Sequence, residues 1–533
     1  MIAAHLADSS RWLKDASEEA VMLARLARDL PGWLQTRLEP EQLLAGIERD
    51  LSAREAQFLA MADLAIYSQP RSPYRKLLQH VGCEAGDLRH LVGQEGLEGA
   101  LGQLASQGVY ITFDEFKGRR AVVRGSARFS FTDRDFDSPL VTSHYLAFTG
   151  GTRGRPGRVL RPLAHVESIA TSWGASLLAH GIDNPLTSYW LTNPITTMLF
   201  HLKLGHEAAL WLHPLEFFPL RAQIGSRYFR LLATLSGTPF PRPRLLDPDD
   251  AARLARWLGR RAQGSRPVVL NTIPSSAVRV AVAAQEAGIS LRGVTFYLQS
   301  EPLTPARLRH IEASGARMIS TYTSMELPVV GVSCATPETA DDYHVMAYRY
   351  VTIQRDRPVV EGGPSVPALL LTTLSETAPK IALNTELGDY ARLSTRPCGC
   401  LLGSLGLTTH LSEARSFEKL SGEGVTFVRS NLTQTLEDVL PRQFGGTSID
   451  YQLVEEEAPD SSTRLVLRVR PSVGPLDEES LRAALLAELG RGGIVDRYHA
   501  ELLRRASSVI VVRQPPLASA AGKVLPFQLL KGT

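Results

Sequence analysis

The sequence lacks several features that would place it in a specialised class of protein. No run among its 533 residues approaches the ~18 apolar residues of a membrane span, and the N-terminus carries charges too early for a secretory signal. Four cysteines are too few for a disulfide scaffold. A net charge of +3, without a patch of interleaved basic and aromatic residues, does not favour nucleic-acid binding. These absences predict a soluble, cytoplasmic protein with reduced thiols and no nucleic-acid partner.

Length and composition indicate an ordinary globular protein of two or three domains, 44% hydrophobic and 21% charged. Residues 1–135 are largely helical in pattern and predict scaffold, with a helix end, a glycine turn and a strand predicted over 101–116. In the middle of the chain, apolar runs alternate with helical segments, which is typical of βαβ units in a sheet covered on both faces. The predicted strands are 208–212, 267–270, 293–297 and 317–322, and the predicted helices are 251–263, 275–287 and 305–313. The C-terminal pattern predicts a small α+β domain with a helix over 431–440, a strand over 455–469, a helix over 478–489 and a strand over 507–512.

A glycine-rich segment, FTGGTRGRPGR over residues 148–158, follows an apolar run that predicts a strand. It is not a P-loop, since no segment has the pattern G-x-x-x-x-G-K-[ST]. Glycines let backbone N–H groups converge on an anion, and Thr149, Thr152 and three arginines add further donors. The segment predicts a phosphate site, and it is equally compatible with a solvated turn of positive charge.

Further segments follow in order, and each has an ordinary interpretation of its own. QSEP over 299–302 and TYTSME over 321–326 each come after a predicted strand, where a turn or the acidic start of a helix is common. NTELGD over 384–389 is compatible with a hairpin turn. The last two segments are HLSEARSFEKLSGEGV over 410–425 and PPLASAAGKVLPFQLL over 515–530, whose lysine is compatible with a solvated tail.

In their order and spacing these segments resemble the motifs of the adenylate-forming (acyl-CoA synthetase, or ANL) superfamily, nearest its phenylacetate-CoA ligase and acyl-protein synthetase branch. The phosphate loop of that family runs T-S-G-T-T-G-x-P-K. Thr149, Gly151, Thr152 and Gly154 match this pattern, whereas its final lysine is missing here. The resemblance implies that ATP is the bound nucleotide and that these four residues hold its phosphates.

For the adenosine of the nucleotide, the resemblance implies contacts from several places in the sequence. It puts Tyr322 on adenine and Asp389 on the ribose hydroxyls, where a carboxylate can accept two hydrogen bonds from a diol. Arg415 fits a ribose-contacting arginine in the linker. A G-E-P turn that packs on adenine corresponds to Ser300, Glu301 and Pro302, with serine in place of glycine.

For the reaction itself, the resemblance implies roles for Glu326 and Lys523. Glu326 matches a glutamate that binds magnesium, a hard cation that prefers carboxylate oxygen. Met325 stands where the family has a threonine hydroxyl. Lys523 matches a lysine that meets the negative charge developing as a carboxylate attacks the α-phosphate of ATP.

Three of the four cysteines and one histidine form a separate candidate site. Cys334 precedes His344, and Cys398 and Cys400 form a C-G-C pair. Three thiolates and an imidazole make a complete tetrahedral set, so the sequence predicts a structural zinc site; the alternative is that these residues are small buried hydrophobes. Some members of the branch named above bind structural zinc through cysteines at such positions. Cys83 lies outside the set.

The resemblance also implies an organisation and a reaction. It implies a large adenylation core over residues 1–412 and a small mobile lid domain over 413–533. The reaction is ATP- and magnesium-dependent conversion of a carboxylic acid to acyl-AMP, followed by transfer to a thiol, with coenzyme A as the preferred acceptor. The alternatives are transfer to a carrier protein or an amine, and a degenerate member that binds nucleotide without turnover. The identity of the acid is not specified.

Overall fold

A computed structural model of the chain describes residues 2–148, 158–214, 220–247, 250–358, 365–416, 421–422, 425–426, 432–457, 463–491, 509–519 and 522–530. Within these ranges the α-helices are α1 (Ile2–Gln35), α2 (Pro40–Ser52), α3 (Arg54–Met61), α4 (Pro73–His80), α5 (Ala85–Ser106), α6 (Phe113–Phe116), α7 (Leu163–Ala179), α8 (Ile195–Lys203), α9 (Leu220–Leu235), α10 (Ala251–Arg261), α11 (Pro274–Glu286), α12 (Pro305–Ala313), α13 (Leu401–Ser404), α14 (Leu432–Gln434), α15 (Leu440–Phe444) and α16 (Glu478–Leu489). None of these described helices combines the length and the hydropathy that a membrane span requires.

The described strands are β1 (Val122–Arg124), β2 (Ala127–Phe129), β3 (Tyr145–Phe148), β4 (Arg158–Arg161), β5 (Leu186–Trp190), β6 (Glu207–His213), β7 (Pro243–Leu245), β8 (Val268–Thr272), β9 (Val294–Leu298), β10 (Arg317–Tyr322), β11 (Gly331–Ser333), β12 (Tyr343–Val345), β13 (Tyr350–Pro358), β14 (Ser365–Thr373), β15 (Thr385–Thr395), β16 (Thr409–Ser416), β17 (Ser421–Gly422), β18 (Val425–Thr426), β19 (Tyr451–Glu457), β20 (Thr463–Val469), β21 (Val509–Val512) and β22 (Phe527–Leu530). Short π-helical stretches cover Ala62–Tyr67 and Thr435–Val439, and 3-10 turns cover Asp133–Phe136 and Pro471–Val473.

One half of a twelve-stranded sheet is parallel and supplies the βαβ part of the fold. Its strand order is β7-β6-β5-β8-β9-β10, and each neighbouring pair is parallel. Strands β8 and β9 are buried along their whole length because helices cover both faces. Phe296 and Leu298 pack in the core under α10 and α11, whereas Tyr297 packs in the core under α7 and α8, as the two-residue period of a strand requires.

The other half of this sheet is antiparallel and starts at β10. Its order is β10-β11-β12-β16-β15-β14-β13, so β16 returns to pair with β12 and places His344 opposite His410. The second half of β13 alternates between partly buried and exposed residues, as expected of a strand with one face exposed to solvent. Helices of the N-terminal part cover the end of this half, where Phe58 and Leu101 share a core with Val351.

A separate four-stranded sheet, in the order β21-β20-β19-β22, forms the C-terminal part of the chain. Its core joins Leu436, Leu453 and Leu467 with Leu485 of α16. Helix α16 has the predicted bounds and begins after Asp477, whose side chain accepts hydrogen bonds from two backbone N–H groups of the first turn.

Two local predictions are wrong. Residues 455–469 do not form one strand, because β19 and β20 are antiparallel partners in which Leu453 lies opposite Leu467. The strand predicted before Phe116 is absent from the described residues, where Ile111 forms only an isolated bridge and α6 follows it.

The predicted α/β fold class is confirmed by the large helix-covered sheet and the separate C-terminal sheet. The four strands and three helices predicted for the middle of the chain correspond to β6, β8, β9 and β10, and to α10, α11 and α12. The predicted domain boundary between residues 412 and 413 stays a prediction. Strand β16, which belongs to the large sheet, runs across that position.

Leu270 lies in the buried strand β8, and its substitution tests how much the packing of this core contributes to stability. We expect Leu270→Ala to lower the free energy of unfolding by about 2–5 kcal/mol, because it leaves a cavity between strand and helices. Leu235→Ala removes the same atoms from a side chain that is 73% exposed, and should change stability by less than about 0.5 kcal/mol. All six tryptophans lie between residues 12 and 257, so tryptophan fluorescence in urea follows the large part of the chain. Equal effects of the two substitutions would contradict this packing.

Candidate functional site

The glycine-rich segment connects two antiparallel strands, with Phe148 at the end of β3 opposite Arg158 at the start of β4. The predicted phosphate-binding residues lie outside the described residues, and their role stays a prediction: Thr149, Gly151, Thr152 and Gly154. Strand β4 carries Arg161 into the interior, where it is buried and donates a hydrogen bond to the backbone carbonyl of Met325 at 2.9 Å. One cation next to this segment is therefore directed at the loop that follows β10.

The turn after β9 lies at the carboxyl end of the parallel strands, where sheets of this kind bind ligands. Ser300 has a φ of +74°, in the left-handed region that favours glycine. A serine thus takes a backbone conformation for which the resembling motif uses glycine. The carbonyl of Pro302 accepts a hydrogen bond from Arg307 at 3.5 Å. The predicted contacts of this turn with adenine stay a prediction.

The side chain of Glu301 is fully buried, and its carboxylate is hydrogen-bonded inside the protein. It accepts hydrogen bonds from the backbone N–H and the hydroxyl of Ser275, at 2.9 and 3.0 Å. Arg307 donates to it at 2.8 Å, and the backbone N–H of Val524 donates at 3.1 Å. The sequence did not predict these partners, because they come from α11, α12 and the C-terminal tail.

Tyr322 and Asp389, which come from β10 and β15, are in direct contact. The tyrosine hydroxyl donates a hydrogen bond to the carboxylate at 3.0 Å, across 67 positions of sequence. Burial, followed by the charge of Asp389, raises the pKa of the Tyr322 hydroxyl well above its ordinary value, so the hydroxyl stays a neutral donor. The structure therefore brings together the two residues that the resemblance assigns to adenine and to ribose.

Arg415 lies next to this pair on the neighbouring strand, with Tyr390 opposite it in the register. Its guanidinium donates a hydrogen bond to the buried carboxylate of Asp341 at 2.7 Å. Burial opposes the charge of Arg415, but the charge and hydrogen bond of Asp341, together with smaller contributions from two tyrosines, raise the pKa of the guanidinium. Asp341 is a partner that the sequence analysis missed, since it occurs in an irregular segment with no periodic pattern.

Glu326, the predicted magnesium ligand, is paired with a lysine from the N-terminal part. Lys117, directly after α6, forms an ion pair with the Glu326 carboxylate across 209 positions of sequence. Both side chains are largely buried. The guanidinium of Arg161 is close enough to interact electrostatically with the same carboxylate. Lys117 was not among the predicted site residues, because the helical pattern before residue 135 predicted scaffold.

Lys523 lies in a tight turn of the C-terminal tail. Its backbone carbonyl accepts from the N–H of Ser519 at 2.9 Å, and its own N–H donates to the Ser519 hydroxyl at 3.2 Å. Gly522 has a φ of +76°, and a Cβ built on it would lie 3.3 Å from Pro214, just beyond β6. Because the next residue, Val524, is bonded to the turn after β9, the tail turn sits at the carboxyl ends of these parallel strands.

Cys334, His344, Cys398 and Cys400 converge at the antiparallel half of the sheet, with their ligand atoms within 4.8 Å of one another. The Nε2 atom of His344 lies 3.1 Å from the sulfur of Cys400 and 3.5 Å from that of Cys398. Its Nδ1–H donates to the carbonyl of Leu407 at 2.6 Å, which turns Nε2 toward the sulfurs. A hydrogen bond from Cys334 lowers the pKa of the Cys400 thiol. This donor set fits one tetrahedral metal ion.

No family model and no curated protein matches the sequence. Among solved structures, the chain is similar to a 2-hydroxyisobutyryl-CoA ligase in complex with 2-HIB-AMP and CoA, with 16% identity, 93% of this chain and 91% of that chain covered, and a TM-score of 0.46. It is similar to ATP-bound MatB from Rhodopseudomonas palustris, with 14% identity, 75% and 69% of the two chains covered, and a TM-score of 0.42. It is also similar to an amide bond synthetase from Marinactinospora thermotolerans, with 13% identity, 79% and 76% covered, and a TM-score of 0.33. These solved structures are of adenylate-forming (ANL) enzymes.

Proposed function

We propose that the protein activates a carboxylic acid with ATP and transfers the acyl group to a thiol. In the first step a carboxylate oxygen bonds to the α-phosphorus of ATP, the bond from that phosphorus to the bridging oxygen breaks, and pyrophosphate leaves. In the second step a thiol sulfur bonds to the acyl carbon, the bond from that carbon to the phosphate oxygen breaks, the thiol proton passes to solvent, and AMP leaves. Coenzyme A is the proposed thiol. Thr149, Gly151, Thr152 and Gly154 are the proposed phosphate loop.

The observation that carries this proposal is that three distant segments meet at one edge of the sheet. Tyr322 contacts Asp389, and the turn that holds Lys523 is bonded, through Val524, to the turn after β9. These are the residues that the resemblance assigns to adenine, ribose and the reacting phosphate. Packing of the core alone does not require that Tyr322, Asp389 and Lys523, which are far apart in the sequence, all lie at the edge where parallel sheets bind ligands.

The cations near Glu326 support a phosphate site even though the loop lacks its final lysine. Lys117 is paired with Glu326, and Arg161 reaches the neighbouring carbonyl of Met325. We assign Glu326 to the magnesium ion, which would supply positive charge at the phosphates. In that arrangement the Lys117 ammonium would donate a hydrogen bond to a phosphate oxygen, which accepts strong charge-assisted hydrogen bonds.

A second candidate function is nucleotide binding without turnover. Met325 brings no hydroxyl to the phosphates, and Lys117 already occupies the carboxylate of Glu326. Both features favour a degenerate member. The presence of Lys523 in the tail turn opposes it, since binding alone does not need a cation at the site of reaction.

ATP–pyrophosphate exchange against a panel of aromatic and aliphatic acids examines the first step. We expect exchange with at least one acid, and a loss of ~100-fold or more in Lys523→Ala, which removes a cation that stabilises the transition state. Lys76→Ala, which changes an exposed lysine of α4, should leave the exchange unchanged.

Folded wild-type protein that binds ATP but shows no exchange with any acid would contradict adenylation and support the binding function. With the active acid in hand, the acceptor is identified by the product. Thioester formed with coenzyme A alone supports the ligase, whereas a requirement for a carrier protein or an amine would replace coenzyme A as the acceptor.

The magnesium dependence of the same exchange reports on Glu326. We expect Glu326→Gln to raise the magnesium concentration for half-maximal exchange by about tenfold, because a neutral amide is a weaker ligand for a hard cation. Glu312→Gln, an exposed residue of α12, is the matched control. An unchanged magnesium profile in folded Glu326→Gln would remove Glu326 from the metal site.

We further propose that Cys334, His344, Cys398 and Cys400 hold a structural zinc ion. Four protein ligands close the coordination sphere, which leaves no position for a reactant. The ion would join the segments before and after β13–β15, and so would stabilise the antiparallel half of the sheet.

Metal analysis of the purified protein checks this proposal. We expect about one zinc ion per chain in the wild type, and less than about half of that in Cys400→Ser, because three ligands hold zinc much more weakly than four. Cys83→Ser changes a buried cysteine outside the group and should keep its zinc. Equal zinc contents in the two variants would be inconsistent with the assignment.

A further inference from the structure

A set of buried charges joins the C-terminal tail to the large sheet. Glu301, Arg307 and Glu437 have side chains that are 0%, 2% and 2% exposed. Arg307 lies between the two carboxylates, 2.8 Å from Glu301 and 3.0 Å from Glu437. Charges this deeply buried are held only where each one is paired and hydrogen-bonded.

The tail is attached to this set through both backbone groups of one residue. The N–H of Val524 donates to the Glu301 carboxylate at 3.1 Å, and its carbonyl accepts from Arg307 at 3.0 Å. Val524 is buried and directly follows Lys523. Bonds to both the N–H and the carbonyl of Val524 restrict where the preceding residue can lie, so the position of Lys523 depends on these two side chains.

A second element of the C-terminal part is attached at the same place. Glu437, in the π-helical stretch Thr435–Val439, also accepts a hydrogen bond from the hydroxyl of Thr304 before α12. Arg309 of α12 pairs with Asp438, but its side chain is 49% exposed. No described contact links Arg309 to Val524. Helix α12 therefore offers one buried arginine that holds the tail and one exposed arginine that does not.

We propose that Glu301 and Arg307 are positioning residues for Lys523, which hold the tail turn against the sheet in the arrangement used for the adenylation step. This inference rests on the proposed function, and it gives Glu301 a role other than the adenine contact that the resemblance implies. Neither residue touches the reacting atoms. Both act through the backbone of Val524.

Hydrogen exchange followed by mass spectrometry tests the attachment itself, with or without turnover. In Arg307→Met we expect the backbone of residues 522–525, which precede β22, to exchange about tenfold faster or more, because the hydrogen bond from Arg307 to the Val524 carbonyl is lost and Glu301, which holds the Val524 N–H, loses its buried cation. Arg309→Met makes the same change at the exposed arginine two positions on and should leave that exchange rate unchanged. Residues 268–272 of the buried strand β8 should stay protected in every variant, which shows that the large sheet is intact.

Pyrophosphate exchange with the active acid then tests the effect on Lys523. We expect Arg307→Met to lower kcat at least about tenfold with an unchanged KM for ATP, since no assigned ATP contact is removed. Combined with Lys523→Ala, it should cost little beyond Lys523→Ala alone, because residues that act through one another are not additive. A merely structural role would raise KM as well as lower kcat, or add to the loss seen in Lys523→Ala.

The outcomes separate this inference from the proposed function. Unchanged exchange of residues 522–525 in Arg307→Met would overturn the attachment, and so would an equal increase in Arg309→Met. Faster hydrogen exchange with full kcat would overturn the positioning role. Wild-type protein without pyrophosphate exchange would refute adenylation, while hydrogen exchange still decides the attachment. Should Arg307→Met fail to fold, Glu301→Gln keeps the volume, removes the charge that pairs with Arg307 and replaces one of the two oxygens that accept from the Val524 N–H and from Arg307. Faster exchange of residues 522–525 and a lower kcat are expected from it.

Discussion

Charge that is removed from water needs partners, and at the end of β9 this requirement joins three parts of the chain. The carboxylate of Glu301 is shared by Ser275, Arg307 and Val524, which belong to α11, α12 and the tail. Arg307 in turn is bonded to Glu437 of the C-terminal part. The place where the tail meets the sheet is thus determined by directional bonds between charged and polar groups. An apolar contact would have allowed many neighbouring arrangements of similar energy.

The fold could be predicted where it depends on local pattern. The parallel strands appear in the sequence as short apolar runs with helical segments between them, and they occur where the runs predict them. The hairpin of β19 and β20 was missed although Pro459, Asp460 and two serines lie between the strands and are typical turn residues. The apolar pattern of both strands was given more weight than this break. The pairing of β16 with β12 has no local signal, because it joins distant segments.

For the candidate site, the sequence proposed several members and none of the contacts among them. Motif resemblance indicated Tyr322, Asp389 and Glu326, and the first two do meet. It did not indicate that Lys117 pairs with Glu326, since these residues are 209 positions apart and lie in segments with no shared pattern. A single sequence carries no information on which distant charges become neighbours. The same limit applies to Glu301, whose place after β9 was clear while its bonds were not.

The order of strands in the antiparallel half has a consequence for how the chain folds. Strands β13 to β15 lie between β12 and β16 in the sequence, and they form a long loop between two strands that are paired in the sheet. At this pairing, bonded atoms of His344 and Leu407 are 63 positions apart in the sequence. Bringing the ends of so long a loop together costs chain entropy and slows folding. The cysteines and the histidine lie on both sides of this loop, with Cys334 before it and Cys398 after it. A metal ion bound there would close the loop early, and so would accelerate folding as well as stabilise the folded state.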